Sequence, residues 1–329
     1  MTIKIATISL LLIVLTLAVS NPSKKVRGDL TKMTAQTAHP EKTEKKNTVQ
    51  SILDDSAKLE KLAGDFQFIE GPIWHPDGFL LFSDIPANII YKFASNQQVE
   101  VFRSPSGKAN GNTLDIENRL LTAEHENRRV SRTEKDGKVI ALADRYEGKR
   151  LNSPNDLVVK SDGSIYFTDP SYGVSKDREE LGFYGVYRLA PDGKLTLLVK
   201  DLVLPNGIAF SPDEQKLYVN NSEAGYIAVF DVKPDGTVTN QQLFAELKDA
   251  SQRGVPDGLK VDVEGNVYST GPGGVWIFSP DGKLLGKISV PETATNLAWG
   301  ESDRKTLYIT ASKTLYRIRL KIAGVRVGK

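Results

Sequence analysis

Four oxygen-bearing side chains stand beside small turn residues along this chain, and their types suit the capture of a hard cation. They are Glu70 in Ile69-Glu70-Gly71-Pro72, Asn155 in Pro154-Asn155-Asp156, Asn206 in Pro205-Asn206-Gly207 and Asp257 in Pro256-Asp257-Gly258. The two carboxylates supply two negative charges, and the two amides supply neutral carbonyl oxygens. All-oxygen ligation of that charge suits Ca²⁺, and after it Mg²⁺ or Mn²⁺. Taken singly, each stretch is an ordinary turn sequence. Their spacing says more: the intervals are 85, 51 and 51 residues, and a weaker Asn110-Gly111 divides the first gap into 40 and 45. One structural unit is repeated, and each copy carries a polar group at the same point.

The elements between these points read as strands. Runs such as Phe79-Leu-Leu-Phe82, Ile165-Tyr-Phe-Thr168, Lys216-Leu-Tyr-Val219 and Thr306-Leu-Tyr-Ile309 are short and rich in β-branched and aromatic residues. Asp-Gly pairs punctuate them at 77, 136, 162, 192, 235 and 281, where Gly accepts the positive φ of a tight hairpin. Units start near residues 71, 111, 156, 207, 258 and 297. Six units of four short antiparallel strands predict an all-β fold, a six-bladed β-propeller with a central metal site. The sixth unit runs out after its third strand near Leu320, and residues around Lys58 to Leu62 are expected to supply the missing strand and close the ring. Ser51 to Leu62 reads as a short helix or an edge strand.

Composition bounds the rest. Of 329 residues, 40% are hydrophobic and 26% charged, ample for a sizeable core. A net charge of +2 argues against nucleic acid as a partner. There is no cysteine, which excludes disulfides, thiolate zinc sites and a cysteine nucleophile. Lys4 precedes an apolar run from Ile5 to Val19, with small residues at Ala18-Val19-Ser20. Residues 1–20 therefore read as a secretory signal peptide, too short for a usual membrane span, and the mature protein is expected to be periplasmic or secreted with no stable span. Residues 21–50 lack Phe, Trp and Tyr and read as a disordered linker, leaving 51–329 as the propeller.

Five stretches carry a specific resemblance. They are Glu70-Gly-Pro-Ile-Trp74, Asn152-Ser-Pro-Asn-Asp-Leu-Val-Val159, Asp162-Gly-Ser-Ile-Tyr-Phe-Thr-Asp-Pro170, Leu204-Pro-Asn-Gly-Ile-Ala-Phe-Ser211 and Val255-Pro-Asp-Gly-Leu-Lys260. Over about residues 60–320 the chain resembles the SMP-30/gluconolactonase/luciferin-regenerating enzyme family of six-bladed propellers, in its bacterial gluconolactonase branch. The resemblance implies one divalent cation in the central tunnel, most often Ca²⁺, with Mg²⁺, Mn²⁺ or Zn²⁺ as alternatives. It matches Glu70, Asn206 and Asp257 to the family's core metal ligands. Asn155 matches a residue that binds the metal in some members and substrate or water in others. The activity implied is lactone hydrolysis on a small-molecule lactone.

Chemistry read from the residues agrees. A bound cation polarises a lactone carbonyl and acidifies a water, and Asp257 is the candidate base that takes the proton. Asn110, His125 and Tyr172 are candidate substrate contacts beside Asn155. Asn110 begins a unit, His125 follows the second unit's apolar strand, and Tyr172 flanks a charged loop, Ser175 to Glu180, that can roof the pocket. Two other readings stay open: a propeller hydrolase of other lactones, aryl esters or phosphoesters, and a non-catalytic scaffold whose blades a metal staples together.

Overall fold

The run Phe79–Asp84 shows how one strand serves two interfaces. Side chains of a strand alternate between faces, so Leu80 and Phe82 pack against Tyr308 and Leu315, while Leu81 turns to Ala109, Leu114 and Leu120. A sheet apolar on both faces must be covered twice, and six such sheets arranged as a ring satisfy one another. The computed structural model describes residues 48–326 apart from Ser95; the expected signal peptide, and the expected linker up to residue 47, lie outside the described residues. Within them the chain forms six four-stranded antiparallel sheets, the blades of a β-propeller. A two-stranded hairpin, Arg145–Tyr146 with Lys149–Arg150, lies between blades 2 and 3.

The innermost strands of blades 1 to 6 are Ile69–His75, Ala109–Leu114, Leu157–Val159, Pro205–Phe210, Leu259–Val261 and Ala294–Gly300. These starts match the units expected from sequence. Blade 6 takes its outer strand from the other end of the propeller. Glu60–Ala63 pairs antiparallel with Thr314–Arg319, and Arg317 Nε donates to Glu60 Oε2 at 2.9 Å. The strand expected around Lys58 to Leu62 is thus present. A short helix, Val49–Ile52, precedes it and buries Ile52, so the packed body begins inside the segment expected as linker.

The core is distributed as six interblade layers rather than one centre. Blades 2 and 3 meet through Leu121, Val130, Leu157 and Phe167, and blades 5 and 6 through Tyr268, Ile277, Leu297 and Ile309. Each fully buried side chain of this size stabilises the fold by about 1.5–3 kcal/mol. Among the described residues no helix is long and apolar enough to cross a membrane.

Candidate active site

Every innermost strand is interrupted where it reaches the hub. In blades 1, 2, 4 and 6 the ladder shifts register at Glu70/Ile73, Ala109/Asn112, Pro205/Ile208 and Ala294/Asn296. In blades 3 and 5 the regular ladder begins only at Leu157 and Leu259. A bulge re-aims a side chain that regular pleating would direct into a blade interface. Here it turns one polar residue per blade towards the axis.

Neighbouring blades lock these steps together through their main chains. Gly111 N donates to Asn155 O at 2.8 Å, Gly207 N to Asp257 O at 2.8 Å and Gly258 N to Thr295 O at 2.7 Å. Buried side chains on second strands, and Thr295 on the innermost strand of blade 6, complete the circle. Ser83 Oγ donates to Asn110 O (2.8 Å), Thr168 Oγ1 to Asn206 O (2.8 Å) and Asn220 Nδ2 to Asp257 O (2.7 Å), and Thr295 Oγ1 joins blade 6 to Ile69 O (2.7 Å). The backbone carbonyls of the candidate residues are therefore spent on holding the hub, which leaves their side chains for chemistry.

Glu70, Asn155 and Asn206 are buried, at 3%, 4% and 3% exposure. Glu70 Oε2 accepts from Gly71 N at 2.7 Å and from Asn296 Nδ2 at 2.9 Å. Burial pushes the Glu70 carboxyl up to about 7; the charge of Asp156 adds to this, while the Asn296 and Gly71 hydrogen bonds and Lys260 oppose it. The Asp257 carboxyl is also held well above the usual carboxylate range, first by burial and then by the charge of Glu70, with the Asn206 amide opposing. Glu70 and Asp257 lie 187 residues apart in the chain and yet repel one another across the hub. Asp156, 2% exposed, joins them: its Oδ2 accepts from Asn296 Nδ2 and Lys260 Nζ, each at 3.4 Å.

Tyr172 stands at the mouth, 49% exposed, and its hydroxyl accepts from Asn206 Nδ2 at 3.3 Å. Burial of its inner part and the charges of Asp257 and Glu70 raise the phenol, while hydrogen bonds from Ser222 and Asn206 lower it. Asn110 Nδ2 meets His125 Nε2 at 3.1 Å, and both side chains are buried. An amide NH₂ can only donate, so Nε2 is the acceptor and the imidazole proton sits on Nδ1. Burial and the nearby Lys108 push His125 down to about 4, so the ring is neutral near pH 7. His125 thereby fixes the Asn110 amide.

The donor set fits a hard divalent cation. Glu70 is buried and Asp257 half-buried, the charge of Glu70 raises the proton affinity of Asp257, and a divalent ion between them would offset that repulsion. The amides complete the set, since a half-turn of Asn206 offers its oxygen in place of its nitrogen. Among the described residues no group of three or more His, Cys, Asp and Glu side chains stands together as a metal cluster. The candidate set consists of two acids and two amides.

Sequence reasoning missed Asp156, Asn296 and Lys260. Asp156 directly follows Asn155 in a stretch that was singled out, and Asn296 directly precedes the sixth unit start, so position within the repeat was a usable signal for both. The second-strand groups Ser83, Thr168 and Asn220 carried no local mark.

The chain matches the SMP-30/Gluconolactonase/LRE-like region over residues 68–313. A gluconolactonase of Zymomonas mobilis is 38% identical over 303 residues, covering 84% of this chain and 85% of that protein. The solved structure of a gluconolactonase from Xanthomonas campestris superposes with a TM-score of 0.76 at 37% identity, covering 83% of this chain and 92% of that one. A calcium-binding regucalcin from Agrobacterium tumefaciens shares the fold, with a TM-score of 0.67 at 19% identity over 80% and 92% of the two chains. With its bulged hub, its six closed blades and these matches, the chain belongs to the SMP-30/gluconolactonase/LRE-like family.

Proposed function

We propose that this chain hydrolyses a sugar lactone of the gluconolactone type with the help of one divalent cation, Ca²⁺ first, held by Glu70, Asn155, Asn206 and Asp257. Membership of the family makes it a lactonase-type ester hydrolase. The observation that carries the finer reading is the gathering of acids at the hub, where the charge of Glu70 raises the proton affinity of Asp257 and the charge of Asp156 raises that of Glu70. The regucalcin with the same fold is a calcium-binding protein, and the relatives at 37% and 38% identity are gluconolactonases.

When bound, the cation supplies Lewis acidity to the lactone carbonyl and to a water. The chain's own residues do the rest. Asp257 receives the proton as water adds to the carbonyl carbon, a role its raised proton affinity suits. The ring C–O bond breaks, and the ring oxygen leaves as a hydroxyl that takes the proton back, giving the hydroxy acid. Asn110, held by His125, keeps its amide oxygen for a substrate hydroxyl. Asn155 and Tyr172 flank the same opening, and the half-exposed phenol limits the water that enters. Polar contacts of this kind favour a polyol lactone over an aryl ester or phosphoester. The apolar stretch after Lys4 supports export to the periplasm or beyond, which fractionation of an expressing cell would test.

The test of the activity is acid release from D-glucono-1,5-lactone, corrected for spontaneous opening, with and without EDTA. Turnover that EDTA abolishes and Ca²⁺ restores is expected. Turnover indifferent to EDTA would remove the cation from the reading, and inactivity on a lactone and ester panel despite bound metal would leave a scaffold.

A further inference from the structure

Close to the candidate ligands stands an ammonium group. Lys260 lies on the innermost strand of blade 5, three residues beyond Asp257. Its Nζ meets oxygens of three kinds. Asp156 Oδ2 is at 3.4 Å, Asn296 Oδ1 at 3.4 Å and the carbonyl of Leu259 at 3.0 Å. A carboxylate, an amide oxygen and a backbone carbonyl are the groups that hold a hard metal cation. The same Asn296 amide donates from its other end to Glu70 Oε2 at 2.9 Å, so the ammonium and the candidate centre share one bridging side chain. On its far side Lys260 borders a cavity of about 240 Å³ whose other walls include Ile73, Val159, Phe210, Trp299 and Val325. The oxygens within hydrogen-bonding reach of the ammonium are those of Asp156, Asn296 and Leu259.

The charges at the hub give this arrangement a purpose. Glu70, Asp257 and Asp156 together carry three negative charges when ionised, and Lys260 returns one. The remainder is two, which a single divalent ion neutralises. We propose that Lys260 is a built-in cation: its ammonium fills a second cation position at the hub, neutralises Asp156 and limits the centre to one divalent ion. The inference rests on the reading of the hub as a cation site and deepens it. It makes Lys260 a positioning residue that acts through Asp156 and Asn296.

The test is equilibrium dialysis of the full chain against Ca²⁺, with metal per chain as the readout. The unaltered chain is expected to bind one equivalent. Lys260→Ala removes the ammonium, leaves the three oxygens and opens space between them; it is expected to bind a second equivalent, or to hold the first at least about tenfold more tightly. Lys260→Arg keeps the charge and should behave as the unaltered chain does. Stoichiometry and affinity both unchanged in Lys260→Ala would overturn the proposal. Where Lys260→Ala does not fold, Asp156→Asn with Lys260 retained lowers the net charge to one, and Ca²⁺ affinity should fall about tenfold; unchanged affinity there would overturn it equally. An unaltered chain that binds no Ca²⁺ would sink the reading of the hub, and the Lys260 proposal would still be decided by whether Lys260→Ala gains an equivalent.

Discussion

Two sets of glycines follow acids or amides in this chain, and they do different physical work. At the rim, Gly193 follows Asp192 with φ +86°, and a Cβ there would meet nothing within 4 Å. Glycine is required for the backbone conformation of the turn. At the hub, Gly207 follows Asn206, and a Cβ there would stand 2.2 Å from the carbonyl oxygen of Asp257. Here glycine is required for space, because the next blade presses its own backbone against it. Dipeptides that look alike in sequence thus mark a loop at one radius of the wheel and the packing of its axle at another.

The sharpest way to break that distinction is at the acids themselves. Asp257→Asn is expected to lower kcat at least ~10²-fold at saturating metal, whereas Asp192→Asn at the rim should leave kcat unchanged; equal effects would end the contrast. Stability separates the glycines next. Gly207→Ala should cost about 2–3 kcal/mol in urea unfolding, because a backbone carbonyl cannot yield as a flexible side chain would. Gly193→Ala should cost about 1 kcal/mol, the strain of a left-handed Ala alone. His125→Ala frees the Asn110 amide and should raise KM about fivefold with kcat little changed, the sign of lost ground-state binding.

The smallest effect is on pH. The metal-free fold holds a proton on Glu70 up to about 7, while an unfolded glutamate gives it up near the ordinary 4.5. Metal-free stability should therefore fall as pH rises from about 4.5 to about 7. Bound Ca²⁺ takes the place of that proton, so the Tm gained on adding Ca²⁺ should grow by a few degrees across the same window. A gain constant from pH 5 to pH 7 would contradict the raised Glu70 carboxyl.

Much of this was legible in the chain. The β-branched runs and Asp-Gly steps gave six units because each blade is built from local hairpins, and local geometry leaves local marks. The strand at Glu60–Ala63 could be anticipated because the sixth unit ends after three strands, one short of the other five. Lys260 could not be picked out in the same way, and Asn296 was marked only by its place just before the sixth unit start. Lys260 meets Asp156 across 104 residues and Asn296 meets Glu70 across 226. No turn, cap or alternation depends on either, so their identity is dictated only by what faces them after closure. His125 was legible as a candidate substrate contact, and the fold sets its ring against Asn110.

The sixth blade has a consequence for how the protein matures. Three of its strands are the last of the propeller to be made and the fourth is the first, so the wheel cannot shut until synthesis has passed Arg319. Thr295 reaches Ile69 and Asn296 reaches Glu70 across that same seam. A partial chain can pair hairpins and stack blades, but it cannot assemble the hub. Folding to completion and becoming competent for chemistry are one event.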